Sequence, residues 1–154
     1  MVGFGNFGTI SNTCTITNPQ TIRQNVHRRV IKPGVNCHGT KYYIAVKNAG
    51  SGSDRFTVQL TPVSGPADHF IVKTFLGAKP SESVDVTAAV GAGTFATSTM
   101  ASGAVTSDTT MLRVEVCADK TVAFKGDQAT FCLTFTSDGD PGRQDTVLIT
   151  TLAK

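Results

Sequence analysis

From Lys41 to Lys154 apolar and polar residues alternate in short runs, and this period of two limits what the chain can fold into. Tyr42-Ile44-Val46, Phe56-Val58-Leu60, Leu112-Val114-Val116 and Phe131-Leu133-Phe135 each place apolar side chains on one side, with mostly polar neighbours between them. Successive side chains on a strand point to opposite faces, so such runs are strands with one buried face. They are separated by turn-forming stretches: Asn48-Ala49-Gly50, Pro66-Ala67-Asp68, Gly91-Ala92-Gly93 and Asp138-Gly139-Asp140-Pro141-Gly142. Many short strands at regular spacing predict an all-β sandwich or barrel. No helix longer than a turn is predicted.

A chain of 154 residues suits one domain with a real core. Two regions are predicted within it: a Gly/Phe- and Thr-rich arm or strand over 1–20, and a β-sandwich over 21–154. Thr21–Ile31 reads as an edge strand interrupted by basic residues, and Thr40–Lys47 as a central strand. In His69–Leu76, Phe70, Val72 and Phe75 are expected to pack inward. No 18-residue apolar window is present, so no membrane span is expected. The N-terminus has neither a basic n-region nor an apolar h-region, so no signal peptide is visible.

Charge is unevenly distributed. Before Asp54 there is no acid, while Arg23, Arg28, Arg29, Lys32, Lys41 and Lys47 contribute six positive charges. The remainder carries eight basic and eleven acidic side chains. This asymmetry suits head-to-tail association of copies, or docking on an anionic cell-surface polymer. On an alternating strand Arg23, His27 and Arg29 line one side, the strongest candidate basic patch. Nucleic acid is not an expected partner, because neither interleaved exposed aromatics nor a groove-reading helix accompanies the patch.

The four cysteines, Cys14, Cys37, Cys117 and Cys132, form an even set without a C-x-x-C pair. In a small β chain this predicts disulfides and an oxidising destination, extracellular or at the cell surface. Sequence leaves three connectivities open. Parity places Cys117 and Cys132 opposite the apolar sets of their strands, so both point outward. On consecutive strands they are the favoured pair, leaving Cys14 with Cys37, within one chain or between two. Zinc is not expected: His38 adjoins Cys37, but neighbours on a strand face opposite ways and zinc spacings are missing.

Other motifs yield to simpler readings. Gly3-Phe4-Gly5-Asn6-Phe7-Gly8 matches G-x-G-x-x-G, but it lacks the preceding strand and following helix that a dinucleotide site needs. Asp138, Asp140 and Asp145 lack the order of a calcium loop and suit a turn. His27, His38 and His69 are scattered, no G-x-S-x-G elbow exists, and neither Asp68-His69 nor the carboxylates Asp54 and Asp68 mark a cleft. The expectation is no enzyme, no cofactor and no metal.

Several segments together resemble a bacterial Ig-like domain of secreted and surface proteins. They are Tyr43-Ile44-Ala45-Val46-Lys47-Asn48-Ala49-Gly50, Asp54-Arg55-Phe56-Thr57-Val58, Asp85-Val86-Thr87-Ala88-Ala89-Val90, Leu112-Arg113-Val114-Glu115-Val116 and Thr136-Ser137-Asp138-Gly139-Asp140-Pro141. The resemblance covers roughly residues 24–152 and departs in the cysteines and the Gly/Phe-rich head. It implies an Ig-like antiparallel β-sandwich with an extra N-terminal strand segment, in a structural or adhesive role.

Three functions follow as expectations. The first is a structural subunit of an extracellular filament, sheath or surface assembly. In it, an assembly strand bearing Ile10, Cys14 and Ile16 would add to a neighbouring copy. The second is a carbohydrate- or protein-binding module of a larger surface protein. The third is a virion decoration or tail protein.

Overall fold

A computed structural model describes residues 20–34, 37–103 and 108–154. Ten strands form two sheets: β1 (Gln20–Val26), β2 (Arg28–Arg29), β3 (Thr40–Val46), β4 (Phe56–Ser64), β5 (Phe70–Leu76), β6 (Val84–Asp85), β7 (Phe95–Ala96), β8 (Thr110–Asp119), β9 (Gln128–Ser137) and β10 (Gln144–Ala153). Among the described residues one short α-helix, α1 (Thr87–Ala92), lies between β6 and β7.

The first sheet runs β1-β10-β9-β4-β7 and the second β2-β8-β5-β6, with β3 also paired to β8. The faces predicted to be apolar form the layer between them. Tyr42, Val46, Val58, Leu112, Val114, Val116 and Leu133 are fully buried there, and Phe131 and Phe135 nearly so. One polar bridge crosses this layer: the Tyr42 hydroxyl lies 2.6 Å from Thr151 Oγ1 and donates to the Thr150 carbonyl at 3.3 Å. A buried phenol finds a partner in this way, which fixes how the sheets stack.

The fold is an all-β sandwich, with three differences from the expected layout. Its sheets are mixed rather than wholly antiparallel. β1 runs parallel to β10, and after one residue the same segment becomes β2, parallel to the end of β8 in the other sheet. Thr21–Ile31 is thus an edge strand, as predicted, but it serves both sheets in turn. β3, expected to be central, pairs only with β8 among the described residues. Phe75 does not pack inward. Phe70 and Thr74 are the buried inward positions, with Val72 against the core, and parity turns Phe75 outward beneath the Arg113 guanidinium, 4.6 Å from its ring centroid.

The outer face of the second sheet is covered locally. Arg113 is 2% exposed, donating to the Ala78 carbonyl at 3.1 Å and to Ser83 Oγ at 3.1 Å. Its Nε sits 2.9 Å from Glu115 Oε1, a charge contact without an aligned hydrogen bond. Row parity reads as solvent-facing for Arg113 and Glu115, but the 77–83 loop folds over Arg113, and Glu115 beside it is buried as well.

The disulfide pairing also differs. Cys37 bonds to Cys117, with Cα atoms 6.2 Å apart and a separation of 80 positions in sequence. Cys117 and Cys132 do face outward as parity requires, but β8 and β9 belong to different sheets. The consecutive strands cross the sandwich instead of forming a hairpin, so the two sulfurs occupy opposite outer faces and cannot meet. The same bond removes Cys37 from any link with Cys14, in one chain or between two. Cys132 is itself disulfide-bonded and fully buried on β9. Cys14, with Ile10 and Ile16 of the expected assembly strand, lies outside the described residues.

Candidate functional site

Where the chain passes from β1 to β2 it leaves one sheet edge for the other, and side chains on either side of this corner separate. Ile22 and Val26 anchor β1 in the core. Arg28 turns toward the 119–127 loop and donates to the Ala123 carbonyl at 3.2 Å. His27 and Arg29, of the opposite parity, face a hollow of about 230 Å³ lined also by Lys32, His38 and the Cys37–Cys117 sulfurs. Val30 and Ile31 complete its apolar wall. A second hollow of about 340 Å³ shares Ile31, Lys32 and Cys37 and extends to Ile71, Lys73 and Asp119. The two hollows adjoin Ile31, Lys32 and Cys37 at the end of the second sheet and are together termed the groove.

The structure therefore brings together two of the three predicted basic residues. Arg23 has the same parity as His27 and Arg29, but it remains on β1 in the first sheet, because the chain changes sheets between them. The groove gains Lys32 and His38, which sequence parity did not connect to the patch. The disulfide explains their position: it fastens Cys37, and with it His38 and Gly39, onto the end of β8. Gly39 makes the close approach possible. A Cβ there would lie 2.2 Å from the Val116 carbonyl oxygen and 2.5 Å from Cys117 Sγ, nearer than any side chain can come.

The electrostatics of the groove are one-sided. No ion pair involves His27, Arg29, Lys32 or His38 among the described residues. The one carboxylate on the lining, Asp119, accepts from the Thr121 backbone N–H and hydroxyl, both at 2.9 Å. Exposed cations in excess of this one carboxylate attract anions, and the concave wall concentrates that field.

Elsewhere the predicted carboxylates and histidines are taken up by local structure. Asp54 accepts from the Ser137 hydroxyl and from the Gly139 N–H at 3.1 Å. Asp138 accepts from Arg55 and from the Thr57 hydroxyl, which together hold its carboxyl below the usual range, Thr57 contributing most. Asp140 pairs with Arg143 at 3.2 Å. Among the described residues no cluster of three His, Cys, Asp or Glu side chains converges. His69 is joined not to Asp68 but to Asp127, Nδ1 to Oδ2 at 2.6 Å. The Asp127 carboxyl is held low, first by the Phe124 backbone N–H and then by His69. Among the described residues no hydroxyl or thiol hydrogen-bonds the other ring nitrogen, so the pair ties the turn before β5 to the loop before β9.

Fold and groove together define a disulfide-bearing all-β sandwich with a cationic cleft at one end. No family model matches the chain, and no curated protein matches it. Among solved structures, the N-terminal domain of PorA aligns over 90% of both chains at 12% identity, with a TM-score of 0.42. A likeness at that level leaves the fold to rest on the strand pairings and the function on the chemistry of the chain itself.

Proposed function

We propose that this chain is a non-catalytic structural subunit of an extracellular or cell-surface assembly, built on an Ig-like sandwich. The observation that carries the reading is the Cys37–Cys117 bond on the outer face of the second sheet. Structural disulfides persist in oxidising compartments and are rare in a reducing cytosol. The strand order supports the Ig-like part. β3 and β8 lie in one sheet and β4, β9 and β10 in the other, the division between strands B, E and C, F, G of an immunoglobulin sandwich. β5, which follows β4 and pairs with β8, takes the place of strand D beside E, and the departure is β7, which returns to the edge of β4 after β5.

Fractionation of the native source, with thiol labelling and gels run with and without reductant, tests the proposal. The expected result is a chain at the surface or outside the cell, without reactive thiols, in material of high mass. A cytoplasmic, thiol-reactive monomer would overturn it.

The groove favours a second reading, a module that binds an anionic carbohydrate or protein. That reading gains if native material is extracellular but monomeric, and if acidic polysaccharide retards it on an affinity gel.

A further inference from the structure

The middle of the first sheet's outer face is buried. It carries Thr130, Cys132 and Thr134 on β9 beside Thr146, Leu148 and Thr150 on β10. Cys132 is 0% exposed, Thr146 2% and Thr150 6%. Toward the rim the same face opens, and Arg23, Gln59 and Gln128 are exposed. Among the described elements, the main neighbours of β9 and β10 are strands of their own sheet and the 67–69 turn. The hydrogen bonds described for the buried row stay within it, Thr130 with Thr150 at 3.1 Å and Cys132 Sγ with Thr134 Oγ1 at 3.5 Å. Thr146 Oγ1 is buried without a hydrogen-bond partner among the described residues.

Cys132 shows what covers this row. It is disulfide-bonded. The chain has four cysteines, and Cys37 and Cys117 are bonded to each other. Cys14 is the one that remains. We infer that the N-terminal arm folds back over the first sheet and is clamped there by a Cys14–Cys132 bond within one chain. The lengths agree. Cys132 pairs with Leu148 and Leu148 with Thr21, so Cys132 lies two strand spacings from the start of β1, about 10 Å. Cys14 precedes Gln20 by six positions, a reach of up to about 20 Å. Asn18-Pro19, between them, is a turn signal that suits a chain crossing the face. The crossing passes over β10 beside Thr146, because β1 enters the sheet next to Val147. On a strand Ile16 shares the parity of Cys14, which sets it against the half-buried Leu148. So short a tether brings Cys14 to Cys132 at an effective concentration of about millimolar, which favours closure within the chain over a link between copies.

Closure takes two protons and two electrons from the two thiols. They pass to a disulfide oxidant, such as oxidised glutathione, which leaves as two thiols. With both bonds formed, no cysteine remains to join copies, and the arm stays on its own sheet. The clamp does not depend on assembly.

Non-reducing gels and disulfide mapping of the oxidised full chain test this. Trypsin cuts after Arg23, Lys125 and Arg143, so the bond would join peptides 1–23 and 126–143. That joined peptide, from material running as one monomer band, is the expected result. A free thiol at Cys132, or Cys14 bonded to another cysteine, overturns the inference. So does a reducible ladder, which would place the bond between copies. Docking of the arm is read by labelling Cys132 with iodoacetamide under native conditions. In Cys14→Ser the arm still covers Cys132, and labelling should be slow. Adding Ile16→Asp should open the face and speed labelling at least tenfold. Equal rates in the two variants overturn the docking. Thermal melts establish that both variants fold.

Discussion

At the scale of single residues, Tyr42 and Gly39 hold the structure by opposite means, one by reaching a partner and the other by having no side chain. Burial raises the Tyr42 phenol above its usual value, partly offset by its hydrogen bond with Thr151. A raised folded value means that the stability it contributes is complete below the ordinary tyrosine pKa and is lost as pH rises through the folded one. Tyr42→Phe should therefore cost about 1 kcal/mol at neutral pH, from the lost bridge, and should flatten the alkaline limb of a Tm-versus-pH profile. Asp145, at an inward-facing position opposite Phe135, is also raised by burial, against the opposing Thr146 N–H. Its ionisation disfavours the folded state as pH climbs through that raised value. Asp145→Asn should raise Tm at pH 7 and leave it unchanged well below the carboxylate range. An unchanged Tm at pH 7 would count against the burial assignment. At Gly39 the added methyl of alanine has no room. Gly39→Ala should cost about 1–3 kcal/mol, in the range of overpacked cores, readable by urea melts.

At the scale of elements, the Cys37–Cys117 bond closes a loop that contains β3 to β7 and most of β8. In the chain-entropy model a loop of this length contributes about 4.5 kcal/mol. Cys37→Ser with Cys117→Ser should lower unfolding free energy by about 2–5 kcal/mol. It should also release residues 30–34 and 37–39, so that hydrogen exchange rises there before it rises in β8 or β9. Element identity was legible in the sequence because period two is a local property. Tyr42-Ile44-Val46 and Leu112-Val114-Val116 face the core as their alternation says. Which sheet a strand joins is not local. Parity turns Cys117 and Cys132 outward, as the structure does, yet the crossing from β8 to β9 puts them on opposite faces. Arg23 shares only parity with His27 and Arg29, and a one-residue corner separates them. Lys32 and His38 carried no periodic signal, because a disulfide 80 residues long in sequence places them. Only the Gly39 next to a Cys-His pair hinted at a close approach there.

At the scale of the whole molecule, acid sensitivity gathers at both ends. Asp138 at one end and Asp127 at the other have lowered carboxyl values, so the stability they contribute is present above the ordinary carboxylate range. It is lost as pH falls through their folded values. Strand order brings a further consequence. β1, the first described strand, and β10, the last, lie side by side and parallel, with seven residues paired from Gln20↔Val147 to Val26↔Ala153. Tension applied between Gln20 and Ala153 pulls these strands along their length in opposite directions. All their cross-strand bonds then bear the load at once, in shear, instead of opening one after another. In single-molecule pulling, Ile22→Pro, which removes one donor from β1, should lower the rupture force. A chain joined end to end through such strands would behave as a stiff, load-bearing strut.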